Sequence, residues 1–174
     1  MSTQTVESVC YLQALGDHLT DYLQSKWGSP CKDKFDAYMS NGQLIPMFKD
    51  MGSDTMVIGR FQYSAIFSIE DMPTHLVDPY VVMARVMAWT TDHDRERERH
   101  QLKPPSVDID AYNNGQMADL EITMDFVESI TAKRAPDGAA GDVSFAGKEW
   151  VIQPYVVYLA EKGEVLPNAF TTDH

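Results

Sequence analysis

Asp92, His93, Asp94 and His100 form the one run in this sequence whose side-chain types could do chemistry. Carboxylates and imidazoles together can hold a divalent cation or relay a proton. The spacing works against both roles. On a continuing helix His93 and His100 share a face but stand two turns apart, roughly 10 Å along the axis, too far to meet on one ion. The charges between them alternate, so that Asp94–Arg97 and Glu96–Arg99 make i,i+3 pairs on what reads as a solvated helix end. Exposed pairs of this kind contribute a few tenths of a kcal/mol each. Ser64 and Ser68 lie on the polar side of a strand-like run with no histidine near them in sequence, which suits a sheet surface better than a nucleophile. Cys10 and Cys31 have no metal-ligand spacing, and there is no glycine-rich phosphate loop, nucleophile elbow or zinc-protease motif. The residues therefore call for no cofactor, no metal and no catalytic group. The alternative, a small metal-assisted hydrolase using Asp92 to His100, predicts a concave pocket containing His93 or His100 with shifted pKa values.

The elements that position these residues are clearer than their chemistry. Phe61, Tyr63, Ala65, Phe67 and Ile69 alternate with Gln62, Ser64, Ser68 and Glu70, the period of a strand with one buried face. Asp78-Pro79 follows as an N-cap and a first-turn proline. Val82, Val86 and Trp89 then recur at helical spacing, with Met83 and Met87 widening the apolar face. An amphipathic helix is expected over Thr5 to Trp27, closed by Gly28-Ser29-Pro30, with Cys10 on its apolar side. Asn41-Gly42 predicts a hairpin within Phe35 to Lys49, whose second arm Pro46 confines to an edge or a bulge. Lys49 to Thr55 reads as a loop into the central strand. A second hairpin places Val107, Ile109 and Ala111 against Leu120, Ile122, Met124 and Phe126 through Asn113-Asn114-Gly115. Short strands are expected at Val143 to Phe145, Trp150 to Ile152 and Tyr155 to Leu159.

These elements predict an α+β fold. Its sheet is mainly antiparallel or mixed, two hairpins plus a central strand, with two long helices packed on one face. A chain of 174 residues is long enough for one domain over 1–174, with an N-terminal helix in 1–30, a flexible loop at 135–147 and a tail at 168–174. The net charge of −12, from 26 acidic and 14 basic side chains, excludes tight non-specific nucleic-acid binding and an anionic membrane surface as partners. Two cysteines make no disulfide framework, and no secretory signal or membrane span is evident, which points to a reducing cytoplasm.

The run Phe61 to Phe67 leading to Asp78-Pro79-Tyr80-Val81-Val82 and Met87-Ala88-Trp89 resembles the tail completion (GpR-type) proteins of contractile-tailed, peduovirus-like phages. Val107-Asp108-Ile109, Ala118 to Ile122 and Glu161 to Leu166 extend the resemblance over Phe35 to Leu166. Two stretches depart from the pattern: the segment before Phe35 is longer, and the loop from Ala135 to Gly147 is enlarged. The resemblance implies a non-enzymatic virion protein. It would cap the head-proximal end of the tail tube, stop its polymerisation and help join the head, with assembly in the host cytoplasm. Its implied partners are other copies in a ring, hexameric by analogy with related terminators, together with the tube, the sheath and a head-side neck protein. DNA would pass through such a ring without being held. The surfaces expected to meet partners are Asn113, Asn114 and Gly115, the charged residues Asp94, Arg95, Arg97 and Arg99, and the aromatics Trp150, Tyr155 and Tyr158. Another neck component, or a monomeric binding module, are the competing non-enzymatic readings.

Overall fold

The computed structural model describes residues 10–153. Helix α1, Tyr11–Trp27, buries Tyr11, Ala14, Leu15, Leu19, Tyr22 and Leu23 and ends at Gly28, whose φ of 80° is open to glycine at little cost. A 3-10 turn, Ser29–Asp33, leads into β1, Phe35–Gly52, which pairs antiparallel with β2, Thr55–Pro73. Helix α2, Pro79–His93, starts as the sequence predicts, with the Asp78 carboxylate accepting the Tyr80 N–H at 2.9 Å. After α3, Glu96–Arg99, come β3, Ser106–Tyr112; β4, Met117–Arg134; β5, Val143–Phe145; and β6, Lys148–Gln153.

All described pairings are antiparallel, in the order β1-β2-β4-β6-β5, with β3 also beside β4. The alternation read from the sequence sets the core. Tyr63, Ala65, Phe67 and Ile69 of β2 face inward, in register with Phe126, Met124, Ile122 and Leu120 of β4. The buried residues of α1 and of α2 (Val82, Val86, Trp89) join them in one cluster. Among the described residues no helix is long and apolar enough to cross a membrane.

Several expectations change. Asn41-Gly42 is not a turn: β1 runs on through it as a bulge, two residues opposite Tyr63, with Asn41 at φ 53°. Gly42 lies under the Phe61 ring, and a Cβ there would stand 2.8 Å from a ring carbon. The hairpin turn is instead Ser53-Asp54, both at positive φ, closing Gly52 onto Thr55. The stretch expected as a loop is thus the end of β1 and the turn itself, and the central strand is the second arm of the first hairpin. Pro46 does sit on an edge strand. Helix α2 stops at His93 instead of continuing to Arg99, because Asp94 leaves helical geometry and α3 is separate. Met87 of α2 is exposed, and so are Val107, Ile109 and Ala111 of β3, so both apolar faces are narrower than their spacing implies. Cys10 stands at the N-cap of α1, half-buried; Cys31 is the buried thiol. The expected helix residues before Cys10, and the strand at Tyr155 to Leu159, fall outside the described residues.

The ends of the sheet differ. Phe48 of β1 stacks on Phe145 of β5, ring centroids 4.2 Å apart, although these strands are the two ends of the pairing order. The sheet therefore curls on itself there, and Met56, Ala132 and Ala135 are buried outside the main cluster. At the other end β1 and β3 remain open edges among the described residues.

Candidate functional site: a buried polar network and two open sheet edges

The strand alternation that builds the core also carries a carboxylate into it. Along β4 the inward positions read Ala118, Leu120, Ile122, Met124, Phe126 and then Glu128. Glu128 Oε1 accepts the Tyr11 N–H at 2.7 Å and the Tyr63 hydroxyl at 2.9 Å, tying the first turn of α1 to both central strands. The Tyr63 hydroxyl oxygen in turn accepts the Leu12 N–H at 3.2 Å. These N–H groups are orphan donors of a helix N-terminus, where a carboxylate is stabilising. Burial pushes the Glu128 carboxyl up, opposed by the bonds from Tyr11 and Tyr63 and reinforced by the charge of Asp94. Burial, then the charge of Glu128, raises the Tyr63 hydroxyl as well.

Asp94, where α2 ends, extends this network. Its side chain is fully buried, and Oδ1 accepts the Arg97 N–H at 3.2 Å. Asp94 Oδ2 and Arg97 Nε lack a well-directed hydrogen bond but face each other at 3.4 Å, so each charge answers the other. Arg97 donates Nη1 to Lys103 O at 2.6 Å and Nη2 to Asp125 O at 2.7 Å, with its guanidinium 6.0 Å from the Phe126 ring centroid. Burial raises the Asp94 carboxyl against the pull of Arg97. A cleft of about 520 Å³ beside the pair is lined by Thr90, Thr91, Asp94, Arg97, Gln101 and Leu102 among others.

The histidines do not join that cleft. His93 Nδ1 donates to Trp89 O at 2.9 Å, with its ring stacked on Trp89. His100 Nε2 lies 3.0 Å from Glu96 Oε2. Among the described residues no three His, Cys, Asp or Glu side chains converge as a metal set would. The expected i,i+3 pairs both form, but Asp94–Arg97 is internal where a solvated pair was expected, and Glu96–Arg99 is on the surface. Arg95 is exposed. Asn113, Asn114 and Gly115 make the β3–β4 turn at positive φ, and Gly115 O accepts the Thr74 hydroxyl at 2.6 Å, which ties the tip to the end of β2. Trp150 on β6 is half-buried and donates Nε1 to Phe145 O. Tyr155 and Tyr158 lie outside the described residues.

Two groupings escape the sequence reading. One is the Glu128 network, whose signal was a charged residue at an inward strand position. The other pins a β2 bulge. Asp71, at φ 49°, accepts from Lys34 Nζ at 2.6 Å and from the Tyr112 hydroxyl, while its N–H donates to Asp119 Oδ1 at 2.8 Å. The Lys34 hydrogen bond, then that from Tyr112, holds the Asp71 carboxyl below its usual range. No short-range pattern links residues 34, 71, 112 and 119.

The buried carboxyl gives a pH prediction. A carboxyl raised in the folded state contributes fully below its unfolded value, about 4.3, and loses that contribution as pH rises through the folded value. Glu128→Gln removes the charge and keeps an acceptor oxygen for Tyr11 and Tyr63. In thermal melts the variant is expected to gain Tm over the parent at pH 7 and to lose that advantage at pH 4. Equal shifts at both values would show that Glu128 carries no ionisation penalty.

The outward face near β3 is acidic. Asp108 stands directly opposite Glu121, and Asp110 opposite Asp119, with Glu70 and Ser68 lining the same shallow depression. Like charges directly opposite are destabilising.

Taken together, the described residues define a β-rich α+β domain whose buried polar groups hold its own elements together and whose accessible features include strand edges, the cleft beside Asp94 and Arg97, and an acidic sheet face. The family model described as P2 phage tail completion protein R (GpR) matches residues 11–154, and the chain belongs to that family. The match takes in α1 and the whole of 135–147, the two stretches that depart from the pattern of the resemblance. The chain is also similar to an uncharacterized 19.2 kDa protein in the rep-hol intergenic region of Haemophilus phage HP1 (strain HP1c1). The two are 22% identical over 162 residues, covering 93% of this chain and 92% of that one. Family membership places the protein among those that complete bacteriophage tails.

Proposed function

We propose that the protein completes the tail by association, without catalysis: it caps the head-proximal end of the tail tube, ends tube polymerisation and contributes to joining the head. The family match over residues 11–154 carries this reading. Two features of the fold support its mechanical part. Among the described residues β1 and β3 are open edges on opposite sides of the sheet. Pairing β1 of one copy with β3 of the next is a head-to-tail contact, which closes into a ring, six-fold in this reading, when the rotation per copy divides the circle. The carboxylates of β3 and β4 retain mutual repulsion at a cost in stability, as a surface that must not hold passing DNA would.

The test is deletion of the gene from its phage or prophage. Tails of uncontrolled length and unjoined heads are expected, restored when the chain is supplied in trans. Normal infectious particles from the deletion would overturn the reading. A separate measurement addresses the acidic face. Asp108→Asn with Asp110→Asn relieves both facing pairs and is expected to stabilise the fold by on the order of 0.2–1 kcal/mol per pair. The gain is read as a rise in Tm that shrinks at high salt. An unchanged Tm would mean that these carboxylates do not repel.

A further inference from the structure

The two open edges of the sheet are not alike. Glu70 N–H donates to Lys34 O, so Lys34, Asp36, Tyr38 and Ser40 turn their backbone groups to β2. Phe35, Ala37 and Met39 turn theirs to the open side. Past the Asn41-Gly42 bulge, Gln43 and Ile45 lie opposite Gln62 and Arg60, which share the direction of Ser64, and this leaves Leu44 and Pro46 facing out. Two of these outward positions cannot donate to a new strand. Asp36 Oδ1 already accepts the Ala37 N–H at 2.9 Å, and Pro46 has no N–H. Between them Met39 and Leu44 are exposed. The β3 edge is bare by comparison. Arg134 N–H donates to Asp54 O on the β2 side of β4, so by alternation Met117, Asp119, Glu121 and Thr123 turn to β3. Val107, Ile109 and Ala111 of β3 therefore face out, and among the described residues nothing accepts their N–H groups.

We propose that Asp36 and Pro46 are register stops: they confine strand addition on β1 to the window between them, and β3 of a second copy fills it, antiparallel, with Met39 opposite Ala111 and Leu44 opposite Val107. The inference rests on the head-to-tail ring reading and adds the register and the residues that set it. Three observations select this arrangement. Strand direction alternates through β1, β2, β4 and β3, so a second copy in the same orientation brings β1 antiparallel to β3. The two bulge residues occupy one position, so Met39 to Leu44 spans the same four steps as Ala111 to Val107. Ala37 and Pro46 then fall opposite Asn113 and Pro105, just beyond the ends of β3. A slip of two residues sets Ala37 opposite Ala111 in one direction and Pro46 opposite Val107 in the other, and each time the N–H that the pair needs is missing. The side chains also match on both faces. Met39 and Leu44, in register with Ala65 and Phe61, carry the apolar inner face on to Ala111 and Val107. On the outward face Ser40 and Gln43 stand opposite Asp110 and Asp108, so hydrogen-bond donors meet the carboxylates of β3 and no like charges face each other across the contact.

Cysteine cross-linking in assembled particles tests the register. A Ser40→Cys, Asp110→Cys chain, with Cys10→Ser and Cys31→Ala, is supplied in trans to phage lacking the gene. Purified particles are oxidised, run on a non-reducing gel and blotted for the chain. Directly opposite residues in a non-hydrogen-bonded pair lie about 4.5 Å apart at Cα, within disulfide reach, so a ladder of linked multimers is expected. Ser40→Cys with Asp108→Cys, a diagonal of about 7–8 Å, is expected to run as a monomer. Adding Asp36→Ala to that second chain frees the Ala37 N–H, admits the two-residue slip and is expected to produce the ladder. Restored infectivity shows that each variant is folded and assembled. Monomer from the Ser40–Asp110 chain, equal ladders from both cysteine pairs, or no gain with Asp36→Ala would each overturn the proposal. Particles holding none of the parent chain would instead overturn the tail-capping reading, on which the contact rests.

Discussion

Arg97→Ala is expected to cost about 3–5 kcal/mol of folding stability, the range for breaking one side of a buried ion pair. The loss has two sources. The Asp94 carboxylate is left in the interior with its opposing charge gone, and the carbonyls of Lys103 and Asp125 lose their donor. A domain of this size is stable by roughly 5–15 kcal/mol, so the variant sits near the limit of folding. Urea melts with the m-value compared to the parent give the measurement. A loss under about 1 kcal/mol would mean that the pair behaves as an exposed one. Removing both charges, Asp94→Leu with Arg97→Met, is expected to be less harmful than Arg97→Ala alone, because no uncompensated charge is then buried.

Phe126→Ala is expected to cost a similar amount, about 3–5 kcal/mol, through lost burial and the cavity left behind. Phe126 stacks on Tyr11 of α1 with centroids 5.2 Å apart, meets Tyr63 of β2 at 5.9 Å, and lies beneath the Arg97 guanidinium. The cavity therefore opens where α1, β2 and β4 meet, and the surroundings have little freedom to close it. Because Phe126 and Arg97 touch the same structure, their losses are expected not to add. A double variant whose loss equals the sum of the two single losses would show that the two sites are independent. Phe145→Ala is a useful contrast. It removes the stack with Phe48 at the curled end of the sheet, where both rings are partly exposed, and it leaves the main cluster intact.

The two large effects fall at places the sequence reads very differently. Phe126 was legible: it ends a run of alternating apolar residues, and a strand with one buried face has no other way to place them. The Asp94–Arg97 spacing was legible too, but not its burial. A pair three residues apart looks the same whether water or a sheet lies over it, and here the break in α2 at Asp94 turns the pair toward β4. Glu128 shows the converse. Its inward position was written in the strand period, yet its partners come from 117 and 65 residues away.

Local periodicity and capping chemistry were enough to determine α1, α2 with its Asp78-Pro79 start, the inward faces of β2 and β4, the Asn113–Gly115 turn and the α+β class. Those features depend on neighbours within a few residues, whose sterics and hydrogen bonding the sequence states directly. Which turn-prone pair actually turns was decided only by the tertiary structure. Asn41-Gly42 yields to a bulge because the Phe61 ring of the neighbouring strand packs on Gly42, and Ser53-Asp54 turns in its place. The stack of Phe48 on Phe145, the Lys34–Asp71–Tyr112 cluster and the buried network at Glu128 belong to the same class. Each joins residues far apart in the chain, and such contacts exist only after the sheet has set its register and its twist.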